Sequence, residues 1–257
     1  MSSYNERRVQ LPDDEAREYL GKKSRRAFLT AGLTGASATA AYFWLRSRPQ
    51  ENMTPWPQRR VLGANEHLAH AYLSDHHLAP TYSASDIGQL KPNGDIGLDE
   101  DIDTDTWRLK VEHTSTDPAL SLTLDDIKSL PRVTQIVRFY CIEGWSTVVQ
   151  WTGARVSDFT RKYHPQGQQI PRYVAMETPD RNYYVGLDTK SAMHPQTLLC
   201  YERNGQPLED EHGAPLRLVV PVKYGIKNIK RIGLIRYTNE RPRDYWAEQG
   251  YDWFAGL

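Results

Sequence analysis

The sequence predicts an α+β domain built on mixed β-sheet. Segments rich in β-branched and aromatic residues outnumber helical patterns along the chain, and they do not alternate regularly with helices. The chain has 257 residues, of which 39% are hydrophobic, enough for one substantial core after an N-terminal extension. Neither G-x-G-x-x-G nor a Walker A pattern occurs, so a dinucleotide-binding fold has no support from motifs.

The N-terminal segment, residues 1–48, is interpreted as an export signal or anchor. Its core Ser24–Leu29, S-R-R-A-F-L, resembles a twin-arginine signal, with which the twin-arginine translocase exports folded proteins. The uncharged run 27–45 is diluted by Gly, Ala and Thr, which is more typical of a signal than of a spanning helix. Small residues at Ala36–Ala40 suit cleavage, but Tyr42–Leu45 prolongs the apolar run, so an uncleaved anchor is the alternative. The signal predicts a periplasmic or other extracytoplasmic location.

A linker and an acidic loop are expected between this signal and the strands. Residues 49–64 are rich in Pro and polar residues, which predicts a linker, and residues 65–257 are expected to form the domain. Glu66–Leu73 is expected to be a short helical turn. The acidic stretch Asn93–Asp105 lacks the loop Gly and distal Glu of a helix-loop-helix calcium site, so we interpret it as a solvated loop.

The elements of the domain follow from local patterns. Leu122–Pro131 is expected to be a helix, in which Thr123 and Asp126 form a capping box. Val148–Phe159 is expected to turn at Gly153 from a strand into a helix. The remaining segments are predicted strands: Trp107–His113, Val133–Glu143, Arg172–Thr178, Asn182–Leu187, Leu216–Pro221 and Ile229–Tyr237.

Charge and cysteine usage narrow the function. The 32 basic and 32 acidic residues cancel, so the chain lacks the basic excess that nonspecific nucleic-acid binding requires. The two cysteines, Cys141 and Cys200, lie in apolar or aromatic surroundings and do not form a C-x-x-C pair. Two buried structural thiols are the default interpretation, and a disulfide between them is the other option.

Cys141 lies in a motif that suits a metal ligand. In R-F-Y-C-I-E-G-W-S, residues Arg138–Ser146, a lone thiol ends a strand-like run and is soon followed by Gly and Trp. A single thiolate can complete the ligand set of a metal that takes oxo groups and soft sulfur donors. Further along, Gly213–Asn239 contains six Lys or Arg and no Asp or Glu, which suits a dianionic phosphate.

These segments resemble the molybdenum-cofactor domain of the sulfite oxidase superfamily. Its C-x-E-x-W pattern is matched at Cys141, Glu143 and Trp145, and A-M-E-T (Ala175–Thr178), H-G-A-P-L-R and Y-G-I-K-N-I-K follow in the same order. The resemblance spans Leu73–Leu257 and extends to bacterial periplasmic methionine sulfoxide reductase catalytic subunits. It implies a single molybdopterin-binding domain, a Mo-molybdopterin cofactor with its molybdenum, and a molybdenum-dependent oxidoreductase.

The resemblance also implies roles for residues at matching positions. Cys141 would ligate the molybdenum, and Glu143 and Arg138 would support catalysis, with a structural salt-bridge role for these two as the alternative. A first pterin-contacting loop in the family carries His or Asn, and either His76 or His77 is the candidate here. The residues implied to hold the pterin lie in the later segments: Thr178, His212, Arg217, Asn228, Ile229 and Lys230.

The implied function is transfer of an oxygen atom to or from a small sulfur- or nitrogen-oxide substrate. Because the chain has no heme, flavin or iron-sulfur motif, electrons would be exchanged with a separate cytochrome partner. His212 stands where the reductase subunits carry Asn, which leaves the substrate open. One rival hypothesis is a zinc or copper protein using His67, His70, His76 and His77, which lacks an H-E-x-x-H motif. The other is an exported binding module that keeps the fold without the metal.

Overall fold

The computed structural model describes residues 12–99, 102–113 and 118–257. The chain divides into two compact units: one ends at Gln50 and takes in Pro55–Pro57, and the other comprises Glu51–Thr54 and Gln58–Leu257. The helices are α1 (Asp13–Arg46), α2 (Trp56–Tyr72), α3 (Leu124–Lys128), α4 (Val156–Tyr163), α5 (Thr189–Ala192) and α6 (Tyr245–Glu248). The strands are β1 (Gln50–Glu51), β2 (Thr54–Pro55), β3 (Leu109–Glu112), β4 (Leu120–Leu122), β5 (Arg132–Tyr140), β6 (Ser146–Arg155), β7 (Tyr173–Glu177), β8 (Tyr184–Asp188), β9 (Leu198–Arg203), β10 (Gln206–Pro207), β11 (Arg217–Val219) and β12 (Leu234–Thr238).

Helix α1, 34 residues long, makes up most of the first unit. It follows Pro12, and the acidic residues Asp13, Asp14 and Glu15 in its first turn complement the positive end of the helix dipole. None of its side chains is buried. Across the described residues, no helix combines the length and the apolar character needed to cross a membrane. Residues 1–11 of the predicted export segment lie outside the described residues.

Helix α2 is longer than the sequence predicts. It begins at Trp56, inside the stretch 49–64 that the sequence predicts as a linker, and it continues to Tyr72. Pro57 lies in its first turn, where the helix needs no backbone donor. Gly63 in its interior costs only about 1 kcal/mol relative to Ala, so the helix runs through it.

The first large sheet has the strand order β10-β9-β6-β5, with β11 also paired to β9, and all its pairs are antiparallel. β5 and β6 pair along the whole of β5, from Arg132 opposite Ala154 to Tyr140 opposite Ser146. The short connection between these strands, residues 141–145, is therefore the C-I-E-G-W segment.

The predicted turn at Gly153 is wrong. β6 runs through this residue to Arg155, and α4 begins at Val156. The register with β9 shifts between Thr152 and Gly153. An added Cβ at Gly153 would lie 2.1 Å from the carbonyl oxygen of Leu199 on β9. Glycine is needed here for close approach of two backbones and not for a turn.

The second large sheet has the strand order β4-β3-β12-β7-β8. It is mixed, because β12 pairs parallel with β3 and antiparallel with β7. The predicted strand at Ile229–Tyr237 begins only at Leu234, since the backbone before it bonds elsewhere: Ile229 O accepts from Leu218 N, and Ile232 N donates to Leu216 O. The predicted α+β class with mixed β-sheet is confirmed.

Both large sheets contribute to one hydrophobic core, together with α3 and α4. Its fully buried members include Leu109, Ile127, Phe159, Met176, Leu199, Leu218 and Ile235. A second cluster includes Val137, Val149, Trp151, Leu198 and Cys200 of the first sheet. The capping box predicted for α3 is confirmed: Thr123 Oγ1 accepts from Asp126 N at 3.2 Å, and Asp126 Oδ2 accepts from Thr123 N at 2.8 Å.

Candidate active site

A cavity of about 310 Å³ opens beside Cys141. Its walls come from the turn after β5, the loop 93–96, the 3-10 turn Gly225–Lys227 and α6. The predicted site residues that line it are Cys141, Glu143, Arg217, Asn228 and Lys230. Segments far apart in the sequence thus meet at the thiol. We call this space the Cys141 cavity.

The turn after β5 fixes the position of Cys141. Cys141 N donates to Trp145 O at 2.9 Å, and Gly144 N donates to Cys141 O at 3.1 Å. Gly144 has a φ of +88°, a left-handed conformation that glycine adopts without strain. Cys141 and Cys200 are both free thiols. Cys200 is fully buried on β9, and burial raises its pKa, so only Cys141 is placed to act as a thiolate ligand.

Asn93 is a site residue that the sequence analysis missed, because it lies in the stretch interpreted as a solvated loop. Its Nδ2 lies 3.5 Å from Cys141 Sγ. The next residue, Gly94, accepts a hydrogen bond at its carbonyl oxygen from Lys230 Nζ at 2.7 Å. The Asn-Gly dipeptide is a turn signal, but nothing local indicates that this turn contacts residues 48 and 136 positions away.

Glu143 lies at the cavity, whereas Arg138 does not line it. The exposed Glu143 carboxylate accepts from Trp145 Nε1 at 3.1 Å. Hydrogen bonds from Trp145 and then from Asn93 hold the pKa of Glu143 below its usual value, so it is ionised at neutral pH. Arg138 on β5 donates from Nε to the Tyr82 hydroxyl at 3.1 Å, with its guanidinium 4.9 Å from the centre of that ring. These contacts fit a structural role for Arg138, but they are a hydrogen bond and a cation-π contact and not the salt bridge of the alternative.

Arg217 is a buried cation in the wall of the cavity. Its Nη1 donates to His212 O at 2.9 Å, its Nη2 donates to Asn228 O at 3.3 Å, and its guanidinium lies 4.6 Å from the centre of the Trp151 ring. Burial lowers its pKa to about 10, so it stays charged at neutral pH. Within the described part of the chain, its Nε has no hydrogen-bond partner. A buried unpaired donor of this kind calls for an external acceptor.

His212 is buried beside these cations. Burial, followed by the charges of Arg203 and Arg217, lowers the pKa of His212 to about 4, so its ring is neutral at pH 7. Its Nδ1 is buried without a hydrogen-bond partner among the described residues. Gly213 after it has a φ of +99°, and a Cβ there would come within 2.7 Å of the Lys230 side chain. The His-Gly pair therefore lets this turn pack closely on Lys230.

The segment Asn228–Lys230 offers backbone groups and one ammonium. The Asn228 side chain is used within the fold, since Oδ1 accepts from Val220 N at 2.7 Å and Nδ2 donates to Tyr224 O at 3.1 Å. Ile229 is fully buried in the core. Lys230 is half-buried, and burial followed by the charge of Arg217 lowers its pKa to about 8, so it remains mostly protonated at pH 7.

Thr178 lies behind the cavity and does not line it. Its hydroxyl bonds to Asp180 Oδ1 at 2.5 Å and accepts from Tyr183 N at 3.1 Å, and Tyr183 itself lines the cavity. Gly97 packs on Thr178 so closely that a Cβ would come within 2.5 Å of its methyl group. Thr178 therefore supports the wall through Tyr183 and the loop that follows Asn93.

The structure does not bring His76 or His77 to the Cys141 cavity. Both line a separate cavity of about 390 Å³, together with Tyr72 and Tyr140. His77 Nδ1 lies 2.6 Å from Tyr72 O, and its ring stacks on that of Tyr72 at 4.4 Å. The loop residue next to the thiol is Asn93, and neither histidine lines the Cys141 cavity.

Most of the chain, including Cys141, matches a known protein family. The family described as the oxidoreductase molybdopterin binding domain matches residues 96–246, more than half of the chain. The chain belongs to this family. It is therefore a molybdopterin-dependent oxidoreductase, and the sequence-based predictions of superfamily, enzyme class and cofactor are confirmed.

Individual relatives are similar over different shares of their length. A putative protein-methionine-sulfoxide reductase subunit YedZ1 of Azospira oryzae is 38% identical over 70% of this chain and 68% of its own length. The protein-methionine-sulfoxide reductase catalytic subunit MsrP of Campylobacter jejuni is 32% identical over 72% and 68%. MsrP of Xanthomonas campestris is 38% identical over 55%, and the match spans 48% of that protein. Among solved structures, the sulfane dehydrogenase SoxCD of Paracoccus pantotrophus aligns with a TM-score of 0.49 and 19% identity over 55% of this chain and 40% of that one.

The residues at the Cys141 cavity fit the cofactor that the family implies. Molybdopterin carries soft sulfur donors, for which a thiolate is a matched companion ligand, and a phosphate. Arg217 and Lys230 provide positive charge in the cavity lining. Among the described residues, Nε of Arg217 and Nδ1 of the neighbouring His212, which does not line the cavity, are buried without a hydrogen-bond partner. A phosphate would satisfy the unpartnered Arg217 donor and pair with Lys230, because charged donors bind it strongly.

The described residues do not support the alternative hypothesis of a zinc or copper site. Within residues 12–99, 102–113 and 118–257, no three His, Cys, Asp or Glu side chains converge as metal ligands. His70 on α2 lies 3.7 Å from Asp188, and His77 is engaged with Tyr72. The four histidines of that hypothesis are therefore not gathered into one closed site.

Proposed function

We propose that this protein is an exported molybdopterin-dependent reductase that removes the oxygen atom from a small sulfoxide of the methionine sulfoxide type. The observation that carries the proposal is the thiol of Cys141 in the wall of a cavity that also contains Arg217 and Lys230. The relatives are named as methionine sulfoxide reductase subunits, which supports the choice of substrate class.

The chain's own residues have separate tasks in this proposal. Cys141 would ligate the molybdenum as a thiolate, and Asn93 Nδ2, 3.5 Å from Sγ, would donate a hydrogen bond to that sulfur. Arg217, Lys230 and neutral His212 would hold the pterin phosphate, with backbone groups of Asn228 and Ile229 alongside. When bound, the cofactor supplies the two-electron oxygen-transfer chemistry. The overall reaction consumes two electrons and two protons per sulfoxide and releases a thioether and water.

The charge left at the cavity favours a neutral substrate. Once the cations are matched by the cofactor's phosphate, Glu143 and Asp95 remain among the lining residues. The pKa of Glu143 is lowered, so its carboxylate is negative at neutral pH. Like charges disfavour anionic substrates such as sulfite, whereas a sulfoxide is uncharged. The charge at the cavity therefore favours a neutral oxide over an anionic one, and the names of the relatives favour a sulfoxide among the neutral oxides.

The N-terminal part of the chain would deliver the folded protein to its place of work. Residues 1–48 would serve as a twin-arginine signal or, over 27–45, as an anchor, followed by residues 49–64 and the domain at 65–257. The uncharged stretch 27–45 of α1 carries exposed Phe28, Leu33 and Phe43. Export in the folded state suits a cofactor that must be inserted first. The domain would then take electrons from a separate cytochrome in the periplasm.

The decisive experiment compares Cys141→Ser with the parent protein and with Cys200→Ala, a control at the other free thiol. We expect the parent and the control to hold about one molybdenum per chain, with Mo-S(Cys) scattering in X-ray absorption and turnover of methionine sulfoxide by an artificial donor. Cys141→Ser should fold but lose that scattering and the turnover. Retained sulfoxide reduction in Cys141→Ser would refute the assignment. Sulfite oxidation without sulfoxide reduction by the parent would refute the substrate class.

A further inference from the structure

Lys227 is a buried cation near the Cys141 cavity that the proposed chemistry does not use. Its Nζ donates to Asp244 Oδ2 at 2.5 Å and to Gly186 O at 2.9 Å, and it lies 4.6 Å from the centre of the Trp253 ring. Neither side chain of the pair is more than 1% exposed. Burial lowers the pKa of Lys227, and the charge of Asp244 opposes that shift. Because the cost of burying two charges offsets most of their attraction, such a pair is weak evidence for stability and invites a geometric explanation.

Asp244 connects Lys227 to α6. Its Oδ1 accepts from Ala247 N at 3.1 Å as the N-cap of that helix, and its Oδ2 also accepts from Gly186 N at 3.1 Å on β8. α6 has only four residues, and a helix so short does not persist by its own hydrogen bonds. Its position must therefore be set by contacts such as those of Asp244.

The ion pair joins two segments that line the Cys141 cavity. Lys227 ends the 3-10 turn Gly225–Lys227, whose Ile226 lines the cavity. On the other side, Trp246 of α6 and the following Tyr251 line the same cavity. Their rings lie 5.2 Å apart at 83°, and Tyr251 N donates to Trp246 O at 3.0 Å. We call Trp246 and Tyr251 the aromatic wall.

We propose that Lys227 and Asp244 are a positioning pair that fixes the aromatic wall relative to the 3-10 turn Gly225–Lys227 and so sets how the substrate's alkyl groups are held. This inference rests on the proposed sulfoxide reduction for its substrate. Aromatic rings make favourable contacts with sulfur and with the methyl groups beside it. The wall can provide such contacts only while α6 stays at its distance from Gly225–Lys227.

The key variant is Asp244→Glu, because it keeps the charge and lengthens the link by one methylene group. If the pair only stabilised the fold, Asp244→Glu would leave substrate binding unchanged. If the pair positions the aromatic wall, the same change should weaken substrate binding, since a displacement of about 1 Å is enough to alter how a substrate is held. The double variant Lys227→Met/Asp244→Asn removes the pair without leaving one charge buried alone. Arg243→Gln is the matched control, because it removes another ion pair of the same helix, between exposed Arg243 and half-buried Glu248, that does not line the Cys141 cavity.

The measurements are molybdenum per chain, the electron paramagnetic resonance spectrum of the half-reduced metal, and kcat and KM for methionine sulfoxide with an artificial electron donor. We expect Asp244→Glu and the double variant to fold and retain molybdenum, with KM raised about fivefold or more and kcat changed much less, as for a lost substrate contact. Their resonance spectra should also differ from the parent's, while Arg243→Gln should match the parent in every measurement.

Parent-like KM and spectra in a metal-loaded Asp244→Glu variant would overturn the inference. Failure of both pair variants to fold would also overturn it, because the pair would then be a stability element only. If the parent reduces no sulfoxide, the proposed function fails by itself. In that case the resonance spectra would still test the positioning pair. An altered spectrum in Asp244→Glu would support an effect of the pair on the metal site, and an unaltered spectrum would refute it.

Discussion

Lowering the pH should destabilise this protein through His212. Burial beside Arg203 and Arg217 lowers the pKa of His212 from its usual 6.5 to about 4. The folded protein therefore keeps this ring neutral at a pH where the unfolded chain binds a proton. A depressed folded-state pKa means stability that is present above the unfolded value and is lost as the pH falls through the window from 6.5 to about 4.

The size of this effect follows from the two pKa values. Between about pH 7.5 and about pH 5, proton binding to the unfolded state alone favours unfolding by about 2 kcal/mol. Below a pH of about 4 the folded protein also binds the proton, and the loss stops growing. The variant His212→Asn cannot titrate here, so it should lack this part of the pH dependence. Other titrating groups, including Lys223 with its pKa lowered to about 7 by burial, are common to both proteins and cancel in the difference.

The assay is urea unfolding of parent and His212→Asn, purified without cofactor, followed by circular dichroism at both pH values. We expect the free energy of unfolding of the parent to fall by about 2 kcal/mol more than that of the variant. Equal pH dependence in the two proteins would refute the reasoning. In the cofactor-loaded protein the difference should shrink, because a nearby phosphate favours the protonated ring.

Three further predictions test the fold and the phosphate end of the site. Gly153→Ala should lower the free energy of unfolding by about 3 kcal/mol, because the new Cβ would clash with the Leu199 carbonyl oxygen. An unchanged free energy in urea unfolding would show that β6 and β9 can move apart to accept the methyl group. Thr123→Ala should cost about 1 kcal/mol by removing the cap to Asp126 N, and no loss in thermal unfolding would contradict that role. Lys230→Met should retain less molybdenum per chain on purification, since a cation for the phosphate is lost; full retention by metal analysis would contradict its placement.

Local sequence was enough for much of the fold. The capping box of α3 depends on Thr123 and Asp126, three positions apart, and residues so close meet whenever the helix forms. The strand that leads to Cys141 and the basic segment containing Lys230 are likewise visible as patterns of neighbouring residue types. The order of these motifs also predicted the molybdopterin-binding family, and the match to the family confirms that prediction.

Tertiary structure decided the contacts between distant segments. Asn93 meets Cys141 across 48 residues, and Gly153 packs on Leu199 of another strand, because the placement of loops and strands brings them together. By residue type, His77 was as good a candidate for a pterin contact as Asn93. Its ring instead contacts Tyr72 at the end of α2 and lines another cavity. A residue's type predicts which chemistry it can do, while only the packing of elements determines which residues share one site. The physical reason is that local hydrogen bonds and propensities act over a few residues, whereas the position of a loop depends on the whole core beneath it.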